Sequence, residues 1–582
     1  MTEHDHADHQ ETEAAPVWDA DVAAAQQLIE ADTEARRGRL SRRSFLAGAA
    51  AAVPGAMLLG SGVAGARTSA KAPLRGYGAG AACALPPDVV SRIKHGWDPE
   101  RSCEVLFVPH GWNYLSGGIS HSTPWHYTQD VPMLWYGPGI INAAGSKARF
   151  VNSADIAATV AKLTKFPFDA PDGTVMTEAI KVNHPKPKLV VVLVWDAGGR
   201  YVLGLHPNRT PNMHSLISKG TWYENATVGS NPSNTAPIHA TIGTGAHPAK
   251  HGVVDNTIRF PDGRLRDPWA EGPGVLKVAT LADEYAKAMG SKARTAMCGT
   301  LPWHLGMVGQ GANLPGGVKH TVVLRDQGNA STEAPKWRIP SALAPYYRFP
   351  SYVNDPHVVP PLSTFTKQYA DAVDGRLDGT WRGHSIQAAQ GGFHTPARIP
   401  FQTQVIKAVI EHEHLGQREE TDLLFLNYKI IDEIGHEYFA DSPEMDDTVK
   451  VQDMFLGNLV SYLDKRFPGR YALVLTADHG HTATPGRTGG TPLSTTKVHS
   501  LMQGRFDTDG DSTSLTQMVR PTGVFVNTAE QQQHNVSAAD MSKYLAYRTN
   551  GQLANTGNPS PSPSAYGFDA VFAGSVVPSL DC

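Results

Sequence analysis

Three apolar runs of this chain are followed by the same kinds of residue. Leu189–Trp195 leads into Asp196, Leu423–Tyr428 into Asp432 and His436, and Tyr471–Thr476 into Asp478 and His479. Carboxylates and imidazoles brought together suit zinc or a similar first-row divalent ion. Asp432 and His436 are four residues apart, so a helical turn puts them on one face. Asp478-His479-Gly480-His481 places ionisable groups directly after an apolar run, where burial demands partners. Each item alone is ambiguous: an Asp after a strand is often a helix cap, and an Asp-x-x-x-His pair often lies on a solvated face. Their recurrence at three strand ends points to a metal site.

A nucleophile accompanies them. In the segment 229–245, Thr235 precedes Ala236-Pro237, and Pro is favoured in the first turn of a helix. A hydroxyl there sits where backbone N–H groups and the helix dipole favour anions, and a neighbouring metal would lower its pKa. Taken alone, the same Thr reads better as a helix cap than as a nucleophile.

In a doubly wound sheet, ligands gather at the carboxyl ends of the strands. Short Val/Leu-rich runs at 104–108, 131–136, 189–195, 423–428 and 471–476 read as strands, several buried on both faces. Helical patterns lie at 154–165, 211–219, 276–289, 403–414 and 445–467. The alternation predicts an α/β fold, a three-layer α/β/α sandwich around a mostly parallel sheet. Residues 300–400 are rich in Pro, Gly, Trp and His and read as an inserted cap region. Its Trp303, Trp337, Tyr346 and Tyr347 either pack within the cap or stack on a flat substrate group.

The chain has 582 residues, is 41% hydrophobic and carries a net charge of −4. That excludes disorder throughout and a nucleic-acid binder held by bulk charge. Ser41-Arg42-Arg43-Ser44-Phe45-Leu46, then an Ala/Gly-rich apolar run ending Ala64-Gly65-Ala66, reads as a Tat export signal. The expected location is the periplasm, the cell wall or the medium of a bacterium, without a stable membrane anchor. Four cysteines, Cys83, Cys103, Cys298 and Cys582, contain no C-x-x-C pair, so a thiolate zinc site is not expected. One or two disulfides are permitted outside the cytoplasm.

Thr235-Ala-Pro-Ile-His-Ala-Thr-Ile-Gly-Thr-Gly245, with His247-Pro248 and His251-Gly-Val-Val-Asp-Asn256, resembles the nucleophile region of the alkaline phosphatase superfamily. The branch it is most similar to is the type I phosphodiesterase/nucleotide pyrophosphatase group. Val-Trp-Asp196, Asp432-Glu-Ile-Gly-His436 and Thr-Ala-Asp478-His479-Gly-His481 match in order. The resemblance implies two divalent metal ions, zinc or alternatively manganese or another ion. One would be held by Asp196, Asp478, His479 and Thr235, the other by Asp432, His436 and a third His. Asn256 would bind a phosphoryl oxygen.

The third His comes late in most of the family. Here the matching block comes early, as Gly118-Ile-Ser-His121 through Asp130-Val-Pro, then Ser153–Leu163 and Asp172-Gly173. That order predicts a circularly permuted chain with His121 as the missing ligand; His499 and His534 are the alternatives. A corollary brings Cys582 near Cys83 or Cys103. The expected organisation is a signal with its extension at 1–66, a linker at 67–100 and a permuted segment at 101–185. The nucleophile core follows at 186–299, the cap at 300–400, and a core with metal ligands at 401–582.

The expected activity is hydrolysis of a small phosphoester through a phosphothreonine, with a diester or nucleotide pyrophosphate favoured. The reason is that Ala296–His304, where monoesterases of the family commonly add cations, has no Lys or Arg. The alternatives are a phosphomonoesterase and a non-catalytic, metal-stabilised binding protein. The oligomeric state is left open.

Overall fold

A computed structural model describes residues 76–116, 118–325, 336–388, 393–555, 557 and 560–582. The export signal and the start of the expected linker lie outside the described residues.

The main sheet has nine strands. In chain order they are β1 (Met133–Tyr136), β2 (Gly145–Asn152), β3 (Leu189–Trp195), β4 (Thr221–Thr227), β5 (Thr295–Cys298), β6 (Thr321–Arg325), β7 (Trp337–Arg338), β8 (Asp422–Tyr428) and β9 (Tyr471–Thr476). Their order across the sheet is β7-β6-β5-β8-β3-β9-β1-β4-β2. The centre, β6 through β9, is parallel. β1 runs antiparallel between β9 and β4. Seven consecutive residues of β3 are buried because both of its faces are covered.

Alternate residues of the central strands feed two separate cores. Val190, Val192 and Val194 face one that includes α1 (Asp155–Thr164), α3 (Thr235–Thr244) and α4 (Leu281–Met289). Leu189, Val191, Leu193 and Trp195 face another, which includes α2 (Pro211–Ile217), α5 (Arg398–His412), α6 (Ile430–Tyr438) and α7 (Pro443–Arg466). These are the three layers the alternation predicts.

Three stretches differ from the expectation. Thr321–Arg325, within the expected insertion, is strand β6 of the main sheet. Val105–Pro109 belongs instead to a second, five-stranded sheet with Gly76–Tyr77, Phe568–Ala573, Gly523–Val526 and Thr516–Arg520. It too is covered on both faces, by clusters that contain Phe107 on one side and Val108 on the other. A continuous apolar run records burial on both faces and not which sheet supplies it. Pro87–Gly96, in the stretch read as linker, is a helix whose Val89, Val90 and Ile93 are buried. Its amphipathic spacing was masked by the Gly, Ala and Pro around it. Cys83 is bonded to Cys582, while Cys103 and Cys298 are free and buried.

Candidate metal centre and nucleophile

The carboxyl ends of β3, β8 and β9 lie side by side, so the residues that follow them converge. Asp196, Asp478 and His479 are fully buried, and Asp432 and His121 nearly so. His436 faces outward, with 42% of its side chain exposed, and marks the open side of the cluster.

The backbone fixes which ring nitrogen of each His is free. His121 Nδ1 lies 3.0 Å from the Ser233 carbonyl, His436 Nδ1 2.6 Å from that of Ile119, and His479 Nδ1 2.9 Å from that of Gly480. A carbonyl only accepts, so each of these Nδ1 atoms carries the hydrogen and each Nε2 presents a lone pair. Those Nε2 atoms point at carboxylates. His121 and His436 each approach Asp432 Oδ1 to 3.4 Å. His479 lies 3.3 Å from Asp478 Oδ2 and 3.5 Å from Asp196 Oδ1. Two ligands on one tetrahedral zinc, each with a bond of about 2.0–2.1 Å, stand about 3.3–3.4 Å apart. Asp432 Oδ1, Asp478 Oδ2 and His479 Nε2 are buried without a hydrogen-bond partner. The donor set and these orphaned atoms therefore fit divalent metal ions.

Three further histidines lie among the same carboxylates with different hydrogen-bonding. His481 Nδ1 accepts from the Thr482 amide at 2.9 Å, a better contact than its 3.4 Å approach to the Thr482 carbonyl. His304 Nδ1 accepts from the Thr300 and Leu301 amides. Their Nε2 atoms must then carry hydrogen, and His304 directs its own toward Asp196 Oδ2 at 3.4 Å. His239 bonds the Thr235 carbonyl and Asn427, so both of its nitrogens are engaged. Proximity alone groups His239, His304 and His481 with the carboxylates. Their hydrogen-bonding sets them apart from His121, His436 and His479. Of the alternatives to His121, His534 lies in a different cluster with Asp507 and Asp509, and His499 is on the Thr495–Phe506 helix.

Thr235 is the first residue of α3 and is buried. The N-cap is Asn234, so Thr235 is not the cap that its position also suggested. Asn256 Oδ1 accepts the Ala236 amide at 2.9 Å, which holds Asn256 beside Thr235 with its NH₂ group still available. Asn256 is braced in turn: its amide donates to Asp255, which also receives Asn234 and Arg520.

The sequence reading missed one group. Lys429, between β8 and α6, is buried and donates at 2.9 Å to Asp196, 2.7 Å to Asp432 and 3.1 Å to Thr235 Oγ. An ammonium has three hydrogens, and each has an acceptor. Burial disfavours its charge, but Asp196, Asp432 and Asp478 outweigh that and push its pKa above the ordinary lysine value. Asp478 goes the other way: burial, then the Asp196 carboxylate, raises it well above the carboxylate range. One ammonium cannot balance three ionised carboxylates, and divalent cations held here would let Asp478 ionise beside Asp196 and Asp432. Burial, then His479, lowers His121 well below the usual range, which keeps it neutral and competent as a ligand.

The cap aromatics are spent on packing. Trp337 and Tyr347 are buried in the two cores, and Trp303 and Tyr346 pack against the first. Arg348 is engaged by Glu413 and Thr321, and Arg398 by Glu433 and Thr300.

The family model for type I phosphodiesterase / nucleotide pyrophosphatase matches residues 190–568. The chain belongs to that family, within the alkaline phosphatase superfamily. It is 28% identical over 346 residues to the alkaline phosphatase PhoV of Synechococcus elongatus, covering 52% of this chain and 60% of that one. It is 24% identical over 366 residues to the alkaline phosphatase PafA of Elizabethkingia meningoseptica, covering 53% and 63%. The chain thus spans about three fifths of the length of these curated relatives. A crystal structure of the alkaline phosphatase PafA aligns with a TM-score of 0.49 at 19% identity, covering 62% of this chain and 76% of that one. His121 lies ahead of the segment that the family model matches.

Proposed function

We propose that this chain is a metal-dependent phosphoester hydrolase with Thr235 as nucleophile, and that its preferred substrate is a phosphomonoester. The observation that carries the preference is Lys429, whose ammonium hydrogen-bonds the Thr235 hydroxyl. A monoester dianion brings one more negative charge than a diester, and a buried cation at the attacking oxygen favours it. Residues 296–304 hold no cation, the ground for expecting a diester; Lys429, directly after β8, brings one from another element. The alkaline phosphatases among the relatives support the same reading. So does the packing of the cap aromatics, which leaves Trp337 and Tyr347 unavailable to a nucleotide base.

The proposed ligands are Asp196, Asp478, His479 and Thr235 for one ion and Asp432, His436 and His121 for the other. Bound there, divalent ions would lower the pKa of the hydroxyl and offset the charge of the phosphoryl group. Thr235 Oγ gives its proton to solvent water and attacks phosphorus; the Oγ–P bond forms as the P–O bond to the alcohol breaks, the departing alkoxide takes a proton from water, and a second water hydrolyses the phosphothreonine to phosphate and free Thr235. Lys429 steadies charge on Oγ, and Asn256 donates to an equatorial oxygen. His121 enters from the segment ahead of β3, so the circular permutation stands as part of the proposal. Export through the Tat route does too, and the Cys83–Cys582 bond suits an oxidising compartment.

The test compares p-nitrophenyl phosphate with bis-p-nitrophenyl phosphate on the mature, zinc-loaded protein. A kcat/KM higher for the monoester supports the proposal. A higher value for the diester returns the assignment to a phosphodiesterase.

A further inference from the structure

A second His/carboxylate cluster lies where the Thr495–Phe506 helix runs into the Thr516–Arg520 strand. Asp507, Asp509 and Asp511 alternate along the connecting loop, where Gly510 takes a left-handed φ of 75°. Glu530 and His534 come from the Thr528–Gln533 helix and the residue after it. His534 Nε2 lies 3.3 Å from Asp509 Oδ2, 3.6 Å from Asp507 Oδ1 and 3.6 Å from Glu530 Oε2. None of these residues bonds to a residue of the strand-end cluster among the described residues.

Two features set this cluster apart from a solvated acidic loop. Glu530 is only 5% exposed, yet its Oε2 has no hydrogen-bond partner and points at His534. His534 Nε2 is likewise buried and makes no hydrogen bond, although three carboxylates stand within ion-pair reach; of these oxygens, Asp509 Oδ2 also accepts from Gln533. The other oxygen of Asp507 is already held by the Leu515 amide and Gln503, which aims Oδ1 inward. No Lys or Arg among the described residues is ion-paired with Asp507, Asp509, Asp511 or Glu530.

We propose that Asp507, Asp509, Glu530 and His534 bind a divalent cation of the first-row type, Zn²⁺ or Mn²⁺. Carboxylates and one imidazole form a mixed hard and borderline donor set, which suits these ions better than Ca²⁺ or Mg²⁺. The ion would tie the loop at 507–515 to the helix at 528–533, a structural role remote from Thr235.

The test is metal content by plasma mass spectrometry, after the mature protein is equilibrated with Zn²⁺ or with Mn²⁺ and freed of excess. Glu530→Gln and His534→Gln are each expected to hold one equivalent less than wild type, with kcat unchanged. Hydrogen exchange at 507–515 should slow on metal addition in wild type only. Asp478→Asn should keep this equivalent while losing metal from the central cluster, so failure of the catalytic assignment and failure of this one are distinguishable. If circular dichroism shows that Glu530→Gln does not fold, Asp509→Asn, at a half-exposed position, carries the same expectation. Equal metal content in wild type and these variants would overturn the proposal, as would uptake of Ca²⁺ with none of Zn²⁺ or Mn²⁺.

Discussion

The chain builds two His/carboxylate clusters from the same side chains but on different supports. The central one stands on the ends of three buried parallel strands, with a backbone carbonyl behind each of His121, His436 and His479. It also encloses a cation of its own, Lys429. The peripheral one joins a loop to a short helix, and its acids face one imidazole, His534, and the side-chain amides of Gln503 and Gln533. A rigid scaffold holds ligands near one geometry before any ion arrives, whereas a loop must be ordered by what it binds. The central cluster is therefore the one suited to chemistry, and the peripheral one to fastening.

Substitutions can break this contrast, and Thr235→Ala is the most severe. It should cut turnover by at least about 10⁴-fold, as expected for loss of a nucleophile. Metal content should stay close to wild type. Activity near wild type would remove the covalent route.

Next comes the choice among the central histidines. His121→Ala should lose one equivalent of metal and about 10²-fold or more in kcat/KM, since it removes a proposed ligand. His481→Ala should keep its metal, because the Nδ1 of His481 already receives a backbone amide. The reverse outcome would reassign the ligand and remove the support for a permuted chain.

Lys429→Met addresses the substrate. Loss of one buried electrostatic donor should lower kcat/KM for p-nitrophenyl phosphate by about 10²-fold, on the scale of an oxyanion donor. The diester rate should fall less. Equal losses would mean that Lys429 steadies the cluster without reading substrate charge.

The smallest expected effect concerns stability and pH. Hydrogen bonds to Asp130 and Asp88 raise His126 to about 9. Its folded value exceeds the ordinary 6.5, so its contribution is fully present below pH 6.5 and is lost as pH rises through about 9. The side chain is 66% exposed, and solvent screens the pair. His126→Gln should therefore lower the melting temperature at pH 6 by about 2 °C at most and change little at pH 10.

What was legible in the sequence follows from burial. β3, β8 and β9 read clearly because strands covered on both faces are continuously apolar, and an Asp straight after such a run is conspicuous. The helix start at Thr235 was legible from Ala236-Pro237, whereas Asn256 and His121 were singled out only through the resemblance. Lys429 was not, because a Lys opening a helix ordinarily reads as solvated; only the convergence of Asp196 and Asp432 gives it partners. His121, His436 and His479 were named from the sequence, but what separates them from His239, His304 and His481 was hidden, since the backbone group behind each ring, and not its spacing, decides which nitrogen is free. Short β6 lacked a flanking pattern to separate it from the loops of the cap. The Asp507–His534 cluster joins a loop to a helix about two dozen residues on, a span that no local motif records.

Anomalous diffraction at the zinc edge from crystals of the mature, zinc-loaded protein tests the central claim most directly. The account predicts one peak bonded to His121 Nε2, His436 Nε2 and Asp432, and a second bonded to Asp196, Asp478 and His479 beside the Thr235 hydroxyl. Peaks ligated by His481 or His304 in place of His121, or absent from the strand ends, would contradict it.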